Sequence, residues 1–234
     1  MSDSTASNIT APTQFLRSQT HEYAYRRFGQ GARLPLLLLQ HFTGTLDNWD
    51  PAVTDPLARG REVILFENAG VGRSSGLVPE TIADMTKHPY AFLDGLGLRN
   101  CDVLGFSLGG LIAQQMALDR PSSIRRLILA GTAPRGGEDI MHLEKPSLAK
   151  YFNDPNLRGF SRLQKLFFAP TDSSQAAGDA FIQRLEKRVQ DREPVSGPNI
   201  AKAQLAAFRD WEHAPAADLK AIRSPTTGRE RRLG

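Results

Sequence analysis

The sequence has little of several features that each define a class of protein. Its single cysteine, Cys101, can form no internal disulfide and has no second cysteine with which to bind zinc. No apolar run approaches the roughly 18 residues of a membrane-spanning helix. The first residues contain no basic stretch followed by an apolar segment, so the sequence predicts no secretory signal. These absences favour a cytoplasmic protein without membrane segments, disulfides or structural zinc.

The chain also has little excess charge outside its C-terminal end. The formal net charge is +4 over 234 residues, and residues 223–234 carry most of it, with four arginines and one glutamate. The remainder is nearly neutral, so it has no basic face of the kind that binds nucleic acid. We therefore expect neither nucleic acid nor a membrane as a partner.

Short apolar runs alternate with helical patterns over residues 21–134. Continuous apolar runs are typical of strands that are covered on both faces of a sheet. Residues 21–28 instead alternate in polarity, which predicts an exposed strand. Strand and helix in alternation predict an α/β fold with a doubly wound, mostly parallel sheet. The predicted buried strands are residues 34–39, 63–66, 101–106 and 127–130, and the predicted helices are residues 51–59, 79–98 and 108–119.

The alternation stops after Thr132. Apolar residues then recur at helical spacing in residues 176–192 and 199–213, with no convincing strand, which predicts a helical cap inserted over the sheet. Ser224-Pro225-Thr226 promises a further strand, but one apolar residue follows it, so we predict that the last strands are missing. The four predicted parts are a disordered lead (1–20), the core (21–134), the cap (135–215), and an aborted return to the core with a basic tail (216–234).

One motif carries chemistry: Gly105-Phe106-Ser107-Leu108-Gly109 has the pattern Gly-x-Ser-x-Gly. It stands where a predicted strand ends and a helix begins, so a sharp turn there would raise the Ser107 hydroxyl above the carboxyl edge of the sheet. A serine nucleophile needs a base, and N–H donors for the oxyanion. The N–H of Leu108 is one candidate donor, and the loop after Leu39 supplies Phe42 as the other. The alternative is a glycine-rich turn with an incidental serine.

Three segments together resemble the α/β-hydrolase superfamily, in its branch of small esterases, lactonases and cofactor-free haloperoxidases. LLLLQHFTGTLDNW is similar to the family's oxyanion strand and loop, with Gln40 and His41 where His and Gly are usual. Residues 67–74 resemble its Asp-x-x-Gly-x-Gly-x-Ser turn, with Glu67 in place of Asp, and GFSLGG resembles its nucleophile elbow. The resemblance implies an α/β-hydrolase fold and a serine hydrolase that uses Ser107 on a small acyl substrate, without metal or organic cofactor.

The resemblance also implies a catalytic acid and a histidine on loops after later strands. Nine residues follow Pro225, whereas two more strand and helix units need about 40 to 60. We therefore expect a C-terminally truncated hydrolase of impaired activity, with no triad acid and no triad histidine in the usual places. His213, with Asp210 on the same helical face, is the remaining candidate base, although a solvated helix surface explains the pair more simply. His142 lies in the same insertion.

Two further residues are candidates for the wall of a pocket. His41 adjoins the predicted oxyanion loop and Trp211 lies in the predicted cap, although loop packing and cap packing explain them more simply. Glu67 follows a strand, and anchoring a loop is its expected role. Two other interpretations of the whole chain stay open: a non-catalytic protein that binds a small apolar ligand in a hydrolase pocket, and an unstable remnant. Because the last strands are predicted to be missing, the strand at 127–130 is expected to form an exposed sheet edge.

Overall fold

A seven-stranded, mostly parallel sheet forms the centre of the molecule. The computed structural model describes residues 6–137, 150–151, 154, 156–157 and 159–229. The strands are β1 (Gln14–Arg17), β2 (Glu22–Phe28), β3 (Gln30–Leu39), β4 (Arg59–Phe66), β5 (Cys101–Phe106), β6 (Ile124–Ala130) and β7 (Thr226–Arg229). Their order across the sheet is β1-β2-β4-β3-β5-β6-β7. The first two strands run antiparallel to their neighbours and the others pair in parallel, which confirms the predicted α/β fold class.

Three helices alternate with the parallel strands, and three more whose bounds lie within the described residues occur between β6 and β7. The helices are α1 (Pro51–Leu57), α2 (Ile82–Gly95), α3 (Leu108–Asp119), α4 (Ser161–Phe167), α5 (Asp172–Glu186) and α6 (Pro198–His213). The later group occupies the predicted cap, although the division of the chain into a core and a cap stays a prediction. Over the described stretches of the chain, no helix has both the length and the apolar character needed to cross a membrane.

The apolar runs in the central strands serve both faces of the sheet. Leu37 and Leu39 of β3 point into a cluster that contains α2, α3 and part of α6, and Leu36 and Leu38 point into a second cluster on the opposite face. Successive strand residues face opposite sides, so a strand that is covered twice needs an unbroken apolar run. The runs that predicted β3, β4 and β5 therefore follow from their position in the middle of the sheet.

The prediction of a disordered lead over residues 1–20 is wrong for its described part, while residues 1–5 lie outside the description. Gln14–Arg17 form β1, which pairs antiparallel with β2. Upstream of it, Ala11 is buried, and Asn8 Nδ2 donates to Trp49 O at 2.9 Å and to Thr54 Oγ1 at 2.8 Å. A four-residue strand is too short to show a periodic pattern of apolar residues. The hydrogen-bond partners of Asn8 lie more than forty residues away in the sequence. The local sequence therefore contains no signal for this order.

The prediction of an exposed strand at residues 21–28 is also wrong in one respect. The strand forms, as β2, but Tyr23 and Ala24 are buried and Arg26 is fully buried. Alternation of polar and apolar residues normally marks one solvent-facing side. Here the polar Arg26 is buried as well, and its burial is possible because its guanidinium pairs with buried carboxylates.

A strand does follow Ser224-Pro225, contrary to the prediction that none would. Thr226–Arg229 form β7, which pairs in parallel with Leu127–Ala130 of β6, so this part of β6 is not the sheet edge. The Ser224 hydroxyl supports the junction by donating to Ile124 O at 2.7 Å. Backbone hydrogen bonds hold an exposed edge strand whatever its side chains are, which explains why apolar pattern missed it. The basic tail beyond residue 229 lies outside the described residues.

Candidate active site

The chain makes a strained turn at Ser107, between the end of β5 and the start of α3. Ser107 has φ +53° and ψ −116°, a conformation that non-glycine residues rarely adopt. Its N–H donates to Ala130 O at 2.9 Å, and its carbonyl accepts from Gly110 N at 2.8 Å. The side chain is half-buried. This is the geometry of a nucleophile elbow, which lifts a serine hydroxyl out of the sheet at its carboxyl edge.

The three glycines around Ser107 are required by close approach. A Cβ on Gly105 would lie 2.4 Å from Gly109 O, and one on Gly109 would lie 2.1 Å from Leu39 O. A Cβ on Gly110 would lie 2.6 Å from the Thr132 side chain. Each distance is far below a van der Waals contact, so β5, α3 and the end of β3 can meet only at glycine. The glycines of the motif are therefore explained by the close packing around the turn.

A cavity of about 560 Å³ opens beside Ser107. Residues of the loop after β3, including His41 and Phe42, form one side of it together with Ser107. The opposite wall comes from the predicted cap and is largely apolar: Phe160, Leu163, Leu166, Phe167, Ile182 and Val195. Charged residues also contribute to the lining: Asp47, Arg162, Glu186, Arg192 and Glu193. The cavity therefore has Ser107 on one side and apolar side chains on the other. It lies between the predicted core and the predicted cap.

Residues 41–44 form a four-residue turn whose conformation is fixed by hydrogen bonds. Gly44 N donates to His41 O at 3.0 Å, and Thr43 in the third position has φ +57°. His41 Nδ1 lies 2.8 Å from Phe42 O. A carbonyl oxygen only accepts, so Nδ1 carries the proton and Nε2 has the lone pair. Thr43 N donates to Gln204 Oε1 at 2.6 Å.

Burial keeps the imidazole of His41 neutral. Desolvation lowers the pKa of His41 to about 4, and the hydrogen bond to Phe42 O opposes this only in part. Its ring packs edge-on against Phe106 at 5.5 Å and Phe167 at 5.8 Å between centroids. Next to Ser107 the cavity is thus bounded by aromatic rings and by an uncharged histidine.

The structure places both candidate oxyanion donors at this end of the sheet. Leu108 is the first residue of α3, where the N–H has no acceptor within the helix. Phe42 lies in the cavity wall on the facing loop. The turn at Ser107 and the turn at residues 41–44 therefore approach each other across the ends of β5 and β3, which are adjacent strands.

Two other predicted site residues lie elsewhere. Trp211 was a candidate for the pocket wall, but it is 2% exposed, packs in the apolar core beneath the sheet, and does not line the cavity beside Ser107. His213 is exposed at the end of α6 and its Nδ1 donates to Arg209 O at 2.7 Å. Helical spacing cannot tell a core face from a cavity face, which explains the error at Trp211. His142 lies outside the described residues.

No described histidine is hydrogen-bonded to the Ser107 hydroxyl. His21 and His88 lie together, with ring centroids 4.8 Å apart, and His88 Nδ1 is 2.8 Å from the Tyr23 hydroxyl. Burial, with the charge of His21, lowers the pKa of His88 to about 4. In the part of the chain that the structure describes, no cluster of three metal-ligating side chains occurs either.

Sequence analysis missed a buried ion cluster of Arg26, Asp47 and Glu193, two members of which line the cavity. Arg26 Nη1 lies 2.7 Å from Asp47 Oδ1, and Arg26 Nη2 lies 3.2 Å from Glu193 Oε1. The backbone N–H of Glu193 donates to Asp47 Oδ2 at 2.8 Å. The side chains of Arg26 and Glu193 are fully buried. The cluster ties β2 and the loop after β3 to the segment between α5 and α6. Arg26 stands beside a second arginine in the polar half of β2, so nothing in the sequence indicates that its guanidinium is buried.

Glu67 acts as a loop anchor, the role expected from sequence. Its two carboxylate oxygens accept from the backbone N–H groups of Leu46 and Arg73, each at 3.0 Å. Burial, and then the nearby charge of Glu193, raise the pKa of Glu67 well above the ordinary value. Gly72 must be glycine here, since a Cβ would lie 2.1 Å from Glu67 Oε2.

Comparisons with known proteins agree with this geometry. Residues 35–186 match a family model described as alpha/beta hydrolase fold. A solved alpha/beta hydrolase fold protein from Chitinophaga pinensis is 39% identical, with a TM-score of 0.88 over 95% of this chain and 80% of that one. The enol-lactonase from Burkholderia xenovorans LB400 shares the fold at 19% identity and a TM-score of 0.64, covering 92% of this chain and 80% of that one.

Curated relatives are more distant or match a shorter part of the chain. A protein named carbamate hydrolase RutD from Azorhizobium caulinodans is 34% identical over 42% of this chain. One of the same name from Caulobacter sp. strain K31 is 26% identical over 82% of this chain. The chain spans 37% of the length of the first relative and 70% of the second.

Proposed function

Because the chain belongs to the alpha/beta hydrolase fold family, we propose that it is a serine hydrolase that cleaves ester or similar acyl bonds through Ser107. The observation that carries the proposal is the strained turn at Ser107, which opens onto a cavity of about 560 Å³. A positive φ at a non-glycine residue costs about 1 to 3 kcal/mol and persists where function requires the geometry.

In the proposed reaction the Ser107 hydroxyl attacks the acyl carbon of the substrate. The new bond between Oγ and carbon forms as the hydroxyl proton leaves, and the bond to the leaving group then breaks as the leaving group takes up a proton. Water subsequently releases the acyl group from Ser107. The N–H groups of Phe42 and Leu108 are the proposed oxyanion donors, and one such donor can contribute about 3 to 4 kcal/mol to the transition state.

The turnover of this polypeptide is proposed to be slow. No described histidine hydrogen-bonds to Ser107, and the candidate base His213 is exposed and bonded to Arg209 O. Without a positioned base, a serine hydrolase keeps only the rate enhancement of binding and of the oxyanion hole, roughly 10³-fold to 10⁴-fold over water. Activated esters, whose leaving groups need little protonation, are therefore the substrates of choice for a test.

The cavity supports a small acyl substrate with an apolar part. Phe167 and Phe106 approach within 5.8 Å between ring centroids beside Ser107, so the portion of a substrate next to its carbonyl meets aromatic surface. Similar proteins are named as a carbamate hydrolase and an enol-lactonase. Carbamates and lactones share an acyl carbon that a serine can attack, which supports the reaction class without selecting one substrate.

Hydrolysis of p-nitrophenyl acetate by the wild type and by Ser107→Ala tests the proposal. We expect slow hydrolysis above background that Ser107→Ala abolishes, and a single acetyl adduct on Ser107 by mass spectrometry. Ser173→Ala, a substitution on the exposed surface of α5, is the matched control and should leave the rate unchanged. Equal, background-level rates in wild type and Ser107→Ala would contradict the proposal.

One alternative remains for that outcome. With no described base at Ser107, a protein that binds a small apolar ligand in the same cavity without catalysis would give equal background rates and would retain ligand binding in Ser107→Ala. A cytoplasmic location, and the absence of nucleic-acid and membrane partners, stay predictions from the sequence.

A further inference from the structure

We propose that Gln204 and His41 are positioning residues that fix the oxyanion loop, residues 41–44, by holding the Phe42–Thr43 peptide from both sides. The proposal rests on the hydrolase function above and deepens it. It states that a side chain of α6 determines the direction in which the Phe42 N–H points. It concerns contacts around this peptide, and neither residue is proposed to touch the reacting atoms.

The peptide between Phe42 and Thr43 is bonded at each of its polar atoms. Its carbonyl oxygen accepts from His41 Nδ1 at 2.8 Å, and its N–H donates to Gln204 Oε1 at 2.6 Å. A peptide unit is planar, so fixing the two ends of its dipole fixes its rotation about the chain direction. The same peptide lies inside the turn that Gly44 N closes on His41 O. Its rotation therefore sets the orientation of the adjoining unit, which carries the Phe42 N–H.

The conformation of Thr43 requires such support. It has φ +57° in the third position of the turn, which favours glycine, and threonine is β-branched. The strain costs about 1 to 3 kcal/mol, which surrounding contacts must offset. Besides the bond from Thr43 N, the Thr43 carbonyl accepts from Ser196 Oγ at 2.7 Å. Both polar backbone groups of the strained residue are thus held by residues that come after α5.

Gln204 is itself held rigidly. It is 4% exposed on α6, and Phe208, one turn further along the helix, packs against Phe42 with centroids 6.0 Å apart. A buried amide that receives a short hydrogen bond can keep a loop in place only if its helix is fixed. The apolar face of α6, which includes Ala207 and Trp211, packs into the cluster beneath the sheet. This packing gives Trp211 a supporting role in place of the predicted one at the cavity wall.

The bond from His41 is stable across the physiological pH range. The charged groups that share a pocket with the loop are Glu67 and Asp47 on the core side, and Arg162, Glu186, Arg192 and Glu193 on the side of the predicted cap. Among these groups, burial keeps the imidazole of His41 uncharged. Its Nδ1 proton therefore stays directed at Phe42 O without a titration that would alter the loop between pH 6 and 8. Displacing an oxyanion donor by about 1 Å can cost roughly 10²-fold in rate.

The test compares Gln204→Met, which removes the hydrogen-bond acceptor, with Gln204→Glu, which keeps an acceptor and adds a carboxyl group. The three side chains have similar lengths. The measured quantity is the rate of covalent labelling of Ser107 by a fluorophosphonate. In that step Oγ bonds to phosphorus, fluoride departs, and the hydroxyl proton goes to solvent. We expect Gln204→Met to label at least about 10-fold more slowly and Gln204→Glu within about 3-fold of wild type. Gln164→Met, on α4 and bonded to Asp179 at 2.7 Å, is the control that should not change.

Amide hydrogen exchange at Thr43 gives a second readout that does not depend on catalysis. The Thr43 N–H should be protected in wild type and in Gln204→Glu and should exchange faster in Gln204→Met. If Gln204→Met fails to fold, Ser196→Ala replaces it, and this variant should slow labelling by about 3-fold or more.

The outcomes separate the two proposals. Labelling of Ser107 at equal rates in wild type and Gln204→Met, with unchanged Thr43 exchange, would overturn the positioning role while leaving the hydrolase function in place. If wild-type Ser107 is not labelled at all, the hydrolase function fails and the positioning role falls with it. Slower labelling in Gln204→Met that Gln204→Glu restores would support both.

Discussion

The two turns that meet at the candidate site are held in opposite ways. The turn at residues 105–110 is fixed by close packing: glycines there touch the backbone of adjacent segments, and Ser107 is bonded to the neighbouring strand. The turn at residues 41–44 is fixed by polar contacts to Gln204 and Ser196, both far away in the sequence. The conformation of the first turn is therefore fixed by contacts within the sheet and with α3. The conformation of the second turn depends on the positions of α6 and of the segment before it.

The buried ion cluster beside the cavity extends this contrast. Arg26 on β2 binds Glu193, which lies 167 residues further along the chain, just before the segment that bears Ser196. Polar side chains thus hold the cap-side segment in place, and this segment in turn holds the turn at residues 41–44. Substitutions in the two regions should consequently differ in kind: steric changes act on the turn at residues 105–110, and changes in charge or hydrogen bonding act on the other.

The largest effect is expected from Arg26→Met. Removing this guanidinium takes away the shortest ion pairs of the buried Asp47 and Glu193 carboxylates, and it leaves them pairs of 3.7 to 3.8 Å with Arg188, Arg192 and Arg73. Loss of one partner from a buried ion pair typically costs about 3 to 5 kcal/mol. Arg27→Met is the matched control, because Arg27 pairs with Glu62 at a partly exposed site on the same strand, where a pair contributes about 1 kcal/mol or less. Urea unfolding of both variants measures the difference. Equal losses would mean that the buried cluster does not hold the two segments together.

Gly109→Ala should be next in size. The added methyl group would lie 2.1 Å from Leu39 O, so β3 or α3 must shift, at a cost of about 3 kcal/mol or more. Gly228→Ala provides the comparison, because no atom lies within 4 Å of a Cβ at that position, and it should cause no loss. Thermal unfolding decides the matter. A Gly109→Ala protein as stable as Gly228→Ala would show that the turn is not fixed by close packing.

A pH effect should distinguish the two turns further, since only the turn at residues 41–44 contains a titratable side chain. The pKa of His41 is about 4 in the folded protein and ordinarily near 6.5, so the unfolded chain binds the extra proton first as pH falls. Stability from this group is complete above pH 6.5 and is lost towards pH 4, by about 2 kcal/mol between pH 7 and pH 5.

His41→Asn removes that titration and should flatten the pH dependence of unfolding by this amount. The pKa of His88 is also lowered to about 4, so His88 contributes its own part of the slope in both proteins, and only the part due to His41 should disappear. A slope unchanged by His41→Asn would contradict the assignment of a buried, neutral imidazole.

The smallest effect is expected from Thr43→Gly. Glycine adopts φ +57° without strain, but it also gains entropy in the unfolded chain, so the free energy of unfolding should change by less than about 1 kcal/mol. In the Thr43→Gly background, Gln204→Met should destabilise the protein less than it does with threonine present. A double-mutant cycle by urea unfolding measures this coupling. Strict additivity would show that Gln204 does not offset strain at Thr43.

Features that are fixed by local packing could be predicted from the sequence, whereas features that depend on contacts with distant residues could not. The central strands and Ser107 were accessible because unbroken apolar runs and the motif Gly-x-Ser-x-Gly are local signals of burial and close approach. The strands β1 and β7 were not, since each has four residues and lies at the sheet edge, where pairing leaves little trace in side-chain pattern. Arg26 and Gln204 escaped notice because their roles depend on partners at the other end of the chain, and Trp211 because a buried helical face looks the same whatever it covers.

The most direct test of the account is the crystal structure of a phosphonate adduct, in which a tetrahedral group takes the place of the transition state. The account predicts phosphorus bonded to Ser107 Oγ, with one phosphonyl oxygen between 2.7 and 3.1 Å from the backbone nitrogens of both Phe42 and Leu108, and with the Thr43 N–H still bonded to Gln204. An adduct on another residue, or an oxygen on Ser107 that points away from these two nitrogens, would contradict it.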